Sequence, residues 1–216
     1  MKHRNLVMIS AGLSQPSSTR LLADQLSAAA VAAAGDLGIV LDTRVVELRD
    51  LAHDITNHLL TGFPAGALRD ALDAVAAADA VIAVSPIFSA SYSGLFKSFF
   101  DVLDKDALAG KPVLLGATAG TARHSLALEH ALRPLFTYLR ATVIPTAVFA
   151  AADDWGDVGG GGVLNDRGES VDGDLRTRIE RAAAELAREI DHRAPVSPAD
   201  PFALTSSFED LLKSNS

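Results

Sequence analysis

The stretch AVIAVSPIFSASYSGLFKSFFD, Ala80 to Asp101, contains the change of pattern that decides the fold. Ala80–Ser85 is an apolar run of strand length, and Pro86, which has no backbone donor, stops it. Small and aromatic residues follow, and Gly94 opens an apolar helix over Ser93–Leu103. In that helix Leu95, Phe96, Phe99, Phe100, Val102 and Leu103 cover more than one stripe, so it is either deeply buried or packed against another subunit. A continuously apolar strand running through a turn into a helix is the unit of a parallel sheet covered on both faces.

The same unit recurs on both sides of this stretch. Strand runs are read at Asn5–Ser10, Pro112–Ala117 and Thr142–Ala150, with an alternating, half-exposed edge strand at Ile39–Leu48. Helical patterns lie at Ser18 to about Ala34, Ala67–Ala78, about Ser125–Leu139 and Asp174–Asp191. Arg49–Ala65 is a turn-rich loop with room for short helices. Five strands with helical crossovers predict a parallel α/β sheet. Asp153–Gly173, with Gly159–Gly162 in succession, reads as a mobile surface loop. Residues 1–192 are read as one domain. Residues 193–216 are read as a tail with one short amphipathic helix at Phe208–Leu212 that docks on the body or on a partner subunit.

Composition narrows the function. The 216 residues carry 19 Lys plus Arg against 27 Asp plus Glu, a net charge of -8, which disfavours a nucleic-acid binder. The absence of cysteine excludes a disulfide scaffold, an iron–sulfur cluster and a thiol nucleophile. No apolar run reaches the ~18 residues of a membrane span. The start MKHRNLVMIS imitates a signal peptide but breaks off too early, so a buried first strand in a cytoplasmic protein is expected. None of the six histidines has metal-ligand spacing to another, and no Ser-His-Asp order or HExxH helix is present.

In open parallel sheets ligands lie beyond the carboxyl ends of the strands, so the loops that follow the strands carry the information. SAGLSQPSSTR, Ser10–Arg20, offers hydroxyls at Ser14, Ser17, Ser18 and Thr19 at a helix start, where free N–H groups favour anions. Helix capping by Ser17 or Ser18 is the plain alternative. The pattern is neither GxGxxG nor GxxxxGK[ST]. In the second loop Pro86 stiffens a turn, and Ile87 and Phe88 can lie against a flat ring. Backbone N–H groups near Ser89 can meet its polar edge. In the third, ATAGTARHS, Ala117–Ser125, Thr118, Ala119, Gly120 and Thr121 can bring backbone close to a ligand, and His124 is either a solvated helix-start residue or a contact to a nicotinamide phosphate.

Together the three loops resemble the NADPH-dependent FMN reductase family of flavodoxin-like proteins, and most of all the flavin reductase component of two-component flavin-dependent monooxygenases. The likeness spans about Leu6–Trp155 and is carried by PSSTRLL (16–22), SPIFSASYSGLFKSFFDVLD (85–104) and ATAGTARHSLALEHALRPLFTYLRA (117–141). It implies a flavodoxin-like three-layer sandwich with a five-stranded parallel sheet of order 2-1-3-4-5. It also implies FMN, with Ser14, Ser17, Ser18 and Thr19 on the phosphate. Pro86, Ile87, Phe88 and Ser89 would flank the ring, and Thr118, Gly120 and Thr121 would close its other side.

NADPH or NADH would be the hydride donor, with no protein nucleophile and no metal. A homodimer or homotetramer and a monooxygenase partner are implied. Gln15 stands where many relatives carry Arg, and Phe88 where many carry Tyr; the first departure implies weaker flavin retention, with Arg20 as a compensating cation. Lys97 and Asp101 match motif positions and also form an i, i+4 surface pair. Alternatives are a quinone or azo-compound reductase with bound FMN, a flavodoxin-like electron carrier, and a flavin-free interaction domain.

Overall fold

The computed structural model describes residues 1–155 and 175–196. Strand β1 (Lys2–Ser10) leads into α1 (Ser18–Asp36). The chain returns as β2 (Ile39–Glu47), then makes a 3-10 turn and α2 (Ala52–Thr61) and α3 (Gly66–Ala77), so Arg49–Ala65 is largely helical. Strand β3 (Ala80–Phe88) turns back into the short β4 (Ser91–Tyr92) before α4 (Gly94–Asp101). Strand β5 (Pro112–Ala119) follows. A 3-10 turn (Ala122–His124), a π turn (Leu128–Leu132) and α5 (Arg133–Tyr138) then replace the single expected helix. Pro134 cannot donate to the carbonyl four residues back, and the helix widens there. The described chain continues through β6 (Thr142–Val143), β7 (Val148–Ala151), a 3-10 turn (Ala152–Trp155) and α6 (Leu175–Asp191).

The strand order is β2-β1-β3-β5-β6, all parallel; β7 also pairs with β5, and β4 pairs antiparallel with β3. The order 2-1-3-4-5 is therefore kept, but with seven strands rather than five. The expected fifth strand is cut in two by a segment containing Pro145, which breaks a hydrogen-bonded ladder. The additional β4 is the returning arm of a hairpin.

Alternate residues of the buried strands feed two cores. Leu6, Met8, Ile82 and Leu114 pack under α1 and α6, with Leu22, Leu26, Ala183 and Leu186. Val7, Ile9, Val81 and Leu115 pack with Phe96, Phe99, Phe100 and Phe136. Phe100 and Phe136 meet edge-on at 4.8 Å between centroids. Phe96, Phe99, Phe100 and Leu103 of the wide apolar face are thus buried within this chain, with Leu95 and Val102 half-buried against the same core.

Beyond α6, the described tail residues are tied to the amino-terminal edge of the sheet. Val196 N donates to Asp79 Oδ1 (2.7 Å), and the Arg193 guanidinium reaches Glu189, Thr142 and the Gly110 carbonyl. Gly159–Gly162 and the Phe208–Leu212 segment lie outside the described residues. No described helix is long and apolar enough to cross a membrane.

Candidate functional site

The carboxyl ends of β1, β3 and β5 open onto one cleft of about 520 Å³, within the range of small-molecule sites. Its floor is set by α1. Ser17 is the N-cap, and its Oγ accepts from Arg20 N at 3.2 Å, so the capping alternative holds for this residue. Gly12 makes the close turn that brings Ser17 back. A Cβ there would overlap Ser17 Oγ and come within 3.2 Å of Thr19 Cβ. Capping leaves the N–H groups of Ser18 and Thr19 with no acceptor among the described residues, at the positive end of a 19-residue helix. Thr19 Oγ1 and Thr118 Oγ1, both buried, share a hydrogen bond of 2.8 Å.

The second loop is held from below. Ser85 Oγ donates to the Pro86 carbonyl and accepts from Ser93 N at 3.0 Å, and Ser93 Oγ in turn caps α4 at Phe96 N. Pro86 and Ile87 are buried, while Phe88 is 48% exposed at the lip. The hairpin turn itself, Ser89 and Ala90, has φ of 49° and 65°, the left-handed region that costs a non-glycine residue about 1 kcal/mol.

Nine of the eleven expected residues line this cleft: Ser14, Ser17, Ser18 and Thr19 from the first loop, Pro86, Ile87 and Phe88 from the second, Thr118 and Gly120 from the third. Ser89 and Thr121 are not among the lining residues. Ser89 sits at the exposed hairpin tip, and Thr121 is exposed at the start of the following 3-10 turn. Ala119 of the third loop lines it too, and Leu13, Ala152 and Trp155 line it in addition, unforeseen from the sequence. Trp155 lies within a segment whose Asp and Gly content reads as loop; its only signal is a large aromatic directly after the pair Asp153-Asp154.

Among the described residues, none that lines the cleft is charged. Arg20 does not compensate for Gln15. Its guanidinium is taken by Asp24 (2.8 Å) and Glu47, and these carboxylates, Asp24 foremost, raise its pKa further. Lys97 and Asp101 form a 2.5 Å pair on the half-exposed face of α4, away from the cleft lining. His124 is exposed beside the third loop. No metal-binding cluster of His, Asp or Glu occurs among the described residues.

The arrangement suits a ligand with an anionic end and a flat apolar body. Two free N–H groups and the hydroxyls of Ser14 and Ser18 gather at one end, and Pro86, Ile87, Phe88 and Trp155 supply apolar surface. One more buried hydroxyl, Ser10 Oγ at the carboxyl end of β1, has no partner among the described residues. A phosphate-bearing flavin such as FMN fits this donor set. A second cavity, about 380 Å³, lies at the opposite edge between Arg4, Asp79, Lys111 and Arg193, all of which are bonded to protein groups.

Comparison with known proteins agrees with the geometry. The sequence model of the NADPH-dependent FMN reductase family matches residues 4–156. An FMN reductase (NADPH) of Pseudomonas aeruginosa is 36% identical over 184 residues, covering 84% of this chain and 90% of that protein. An oxidoreductase structure from Corynebacterium diphtheriae superposes with a TM-score of 0.79 at 43% identity, over 90% of this chain and all of the other. The apo form of an NADH:FMN oxidoreductase, EMOB, gives 0.70 at 29% identity, over 92% of each chain. The three-layer architecture is flavodoxin-like.

Proposed function

The chain belongs to the NADPH-dependent FMN reductase family, and from that premise we propose that its cleft binds FMN and carries out NAD(P)H + FMN + H⁺ → NAD(P)⁺ + FMNH2. The observation that carries this reading is the convergence of three strand-end loops on one cleft with free N–H groups at the head of α1. Ser14, Ser17, Ser18 and Thr19 hold the phosphate, Pro86, Ile87 and Phe88 flank the ring, and Thr118 and Gly120 close the other side. Bound there, the flavin supplies the hydride acceptor.

The chain's residues contribute positioning rather than acid–base chemistry. The helix end and hydroxyls fix one end of the ligand, and the Pro86 turn and its hairpin hold apolar surface against the other. No titratable side chain is among the described residues that line the cleft.

Among the described residues the phosphate would meet neutral donors alone, since Arg20 is committed to carboxylates. That supports flavin used as an exchanging substrate, released reduced to a partner flavin-dependent monooxygenase, over a quinone or azo-compound reductase with permanently held FMN. Steady-state kinetics tests it. Free FMN should act as a saturable second substrate, and protein that copurifies with stoichiometric FMN and turns over without added flavin would refute exchange.

We read residues 1–192 as the catalytic domain of a cytoplasmic protein and residues 193–216 as its tail. The exposed apolar side chains of Leu60 (81%) and Phe63 (78%) support self-association as a dimer or tetramer, which light scattering measures directly.

A further inference from the structure

We infer that Trp155 is a further ring-facing wall of the flavin cleft, set in place by an ion pair that stands outside the cleft, Asp154 with Arg178. The inference rests on the cleft reading above. Strand β7 ends at Ala151, and a single 3-10 turn follows, with Ala152 and Trp155 both lining the cleft. Asp154 lies between them in sequence and points elsewhere. Its Oδ2 accepts from Ala151 N at 2.6 Å and its Oδ1 from Arg178 Nη2 at 2.7 Å. Arg178 Nη1 donates to the Phe149 carbonyl at 2.5 Å. One guanidinium on α6 therefore grips both the strand and the turn that follows it.

The pair is not an ordinary surface contact. The two side chains are only 24% and 25% exposed, and both carboxylate oxygens are engaged, one by backbone. The indole of Trp155 is half-buried and packs against the apolar cluster shared by α1 and α6. The same helix α6 therefore braces the helix that forms the phosphate end and, through Arg178, the turn that forms the aromatic wall. The ligand class this wall selects is a flat conjugated ring, for which a large aromatic face is worth more than its area alone. Asp154 and Arg178 act as positioning residues.

Trp155 is the single tryptophan of the chain, so its emission reports on this wall alone. FMN titrated into wild-type protein should quench it saturably. Asp154→Asn puts an amide where two donors converge, and Arg178→Met removes the grip. Each should raise KM for FMN about tenfold with kcat at saturating FMN within about twofold, red-shift the free protein's emission and weaken the quench. Arg178→Lys should fall between, and it serves if the other variants fail to fold. Thr146→Ala is the control. Its hydroxyl also binds α6, through Glu185 at 2.7 Å, but it does not line the cleft, and KM for FMN should stay put. Unchanged KM and quench in the Asp154 and Arg178 variants, or an equal rise in Thr146→Ala, overturns the inference. FMN that binds by flavin absorbance without quenching Trp155 overturns it while leaving the cleft reading intact; protein that binds no FMN brings down both.

Discussion

Thr19 and Thr118 stand 99 residues apart, yet their buried hydroxyls share a 2.8 Å hydrogen bond under the cleft. It joins the first turn of α1 to the carboxyl end of β5. Each threonine is also a lining residue, so the bond is part of the site and part of the fold at once.

Removing either hydroxyl alone strands the other. Thr19→Val and Thr118→Val should each destabilise the protein by about 1–3 kcal/mol, because a buried polar group loses its partner. The double variant should cost clearly less than the sum of the two. Denaturant unfolding of all four proteins measures this, and strict additivity would show the two hydroxyls to be independent.

Gly12 is a glycine for a steric reason, not for its backbone angles. Gly12→Ala would push Ser17 out of its capping position, which should cost about 1 kcal/mol in stability, the worth of an N-cap, and raise KM for FMN. Gly35→Ala, in the same helix with no atom within 4 Å of the added carbon, should instead stabilise by about 0.5–1 kcal/mol. Thermal midpoints of the pair decide it, and two shifts of the same sign would refute the steric account of Gly12.

The hairpin at the cleft lip holds two L-residues in the conformation a two-residue turn reserves for Asn-Gly. Ala90→Gly should therefore raise stability by about 0.5–1 kcal/mol, since glycine takes φ near 65° without strain. A lower thermal midpoint would mean that the alanine methyl makes contacts worth more than the strain.

How much of this was legible follows from the residues. Continuous apolar runs as short as Ala80–Ser85, stopped by Pro86, are too short for a buried helix and fit a covered parallel strand, and they placed the sheet and the three loops that meet at the cleft. The leucines at 128, 132, 135 and 139 do keep helical spacing, but spacing does not register the missing donor of Pro134, so the π turn was invisible. Strand β4 was hidden because Ser89-Ala90 carries no turn signature; only the closed hairpin shows that it pays the conformational cost. Arg20 looked available to a phosphate because sequence gives no sight of Glu47, 27 residues away, across the sheet edge. Trp155 and Asp154 were hidden in a polar stretch, because Arg178, the partner that holds Asp154, lies 24 residues on, in α6.

Lys111 gives the protein a distinctive alkaline response. Its side chain is buried at the amino-terminal edge of β5, and Nζ donates to the carbonyls of Val75 (2.6 Å) and Ala76 (2.8 Å) at the end of α3. Burial pushes its pKa down to about 8, against the pull of Asp79 in the other direction. Below that pH the folded and unfolded chains both carry the proton, and the cost of burying the charge is fully present. Between about 8 and the unfolded value near 10.4 the unfolded chain binds a proton that the folded one has released, so this group makes stability rise with pH. The neutral amine keeps two N–H donors, enough for both carbonyls, so release costs no hydrogen bond. The stability of wild type relative to Lys111→Met should therefore increase by about 1–3 kcal/mol between pH 7 and pH 10.5, on top of a constant offset for the two carbonyls the methionine leaves bare. Urea unfolding of both proteins across that range reads the difference directly; a flat difference would show that Lys111 keeps its ordinary pKa.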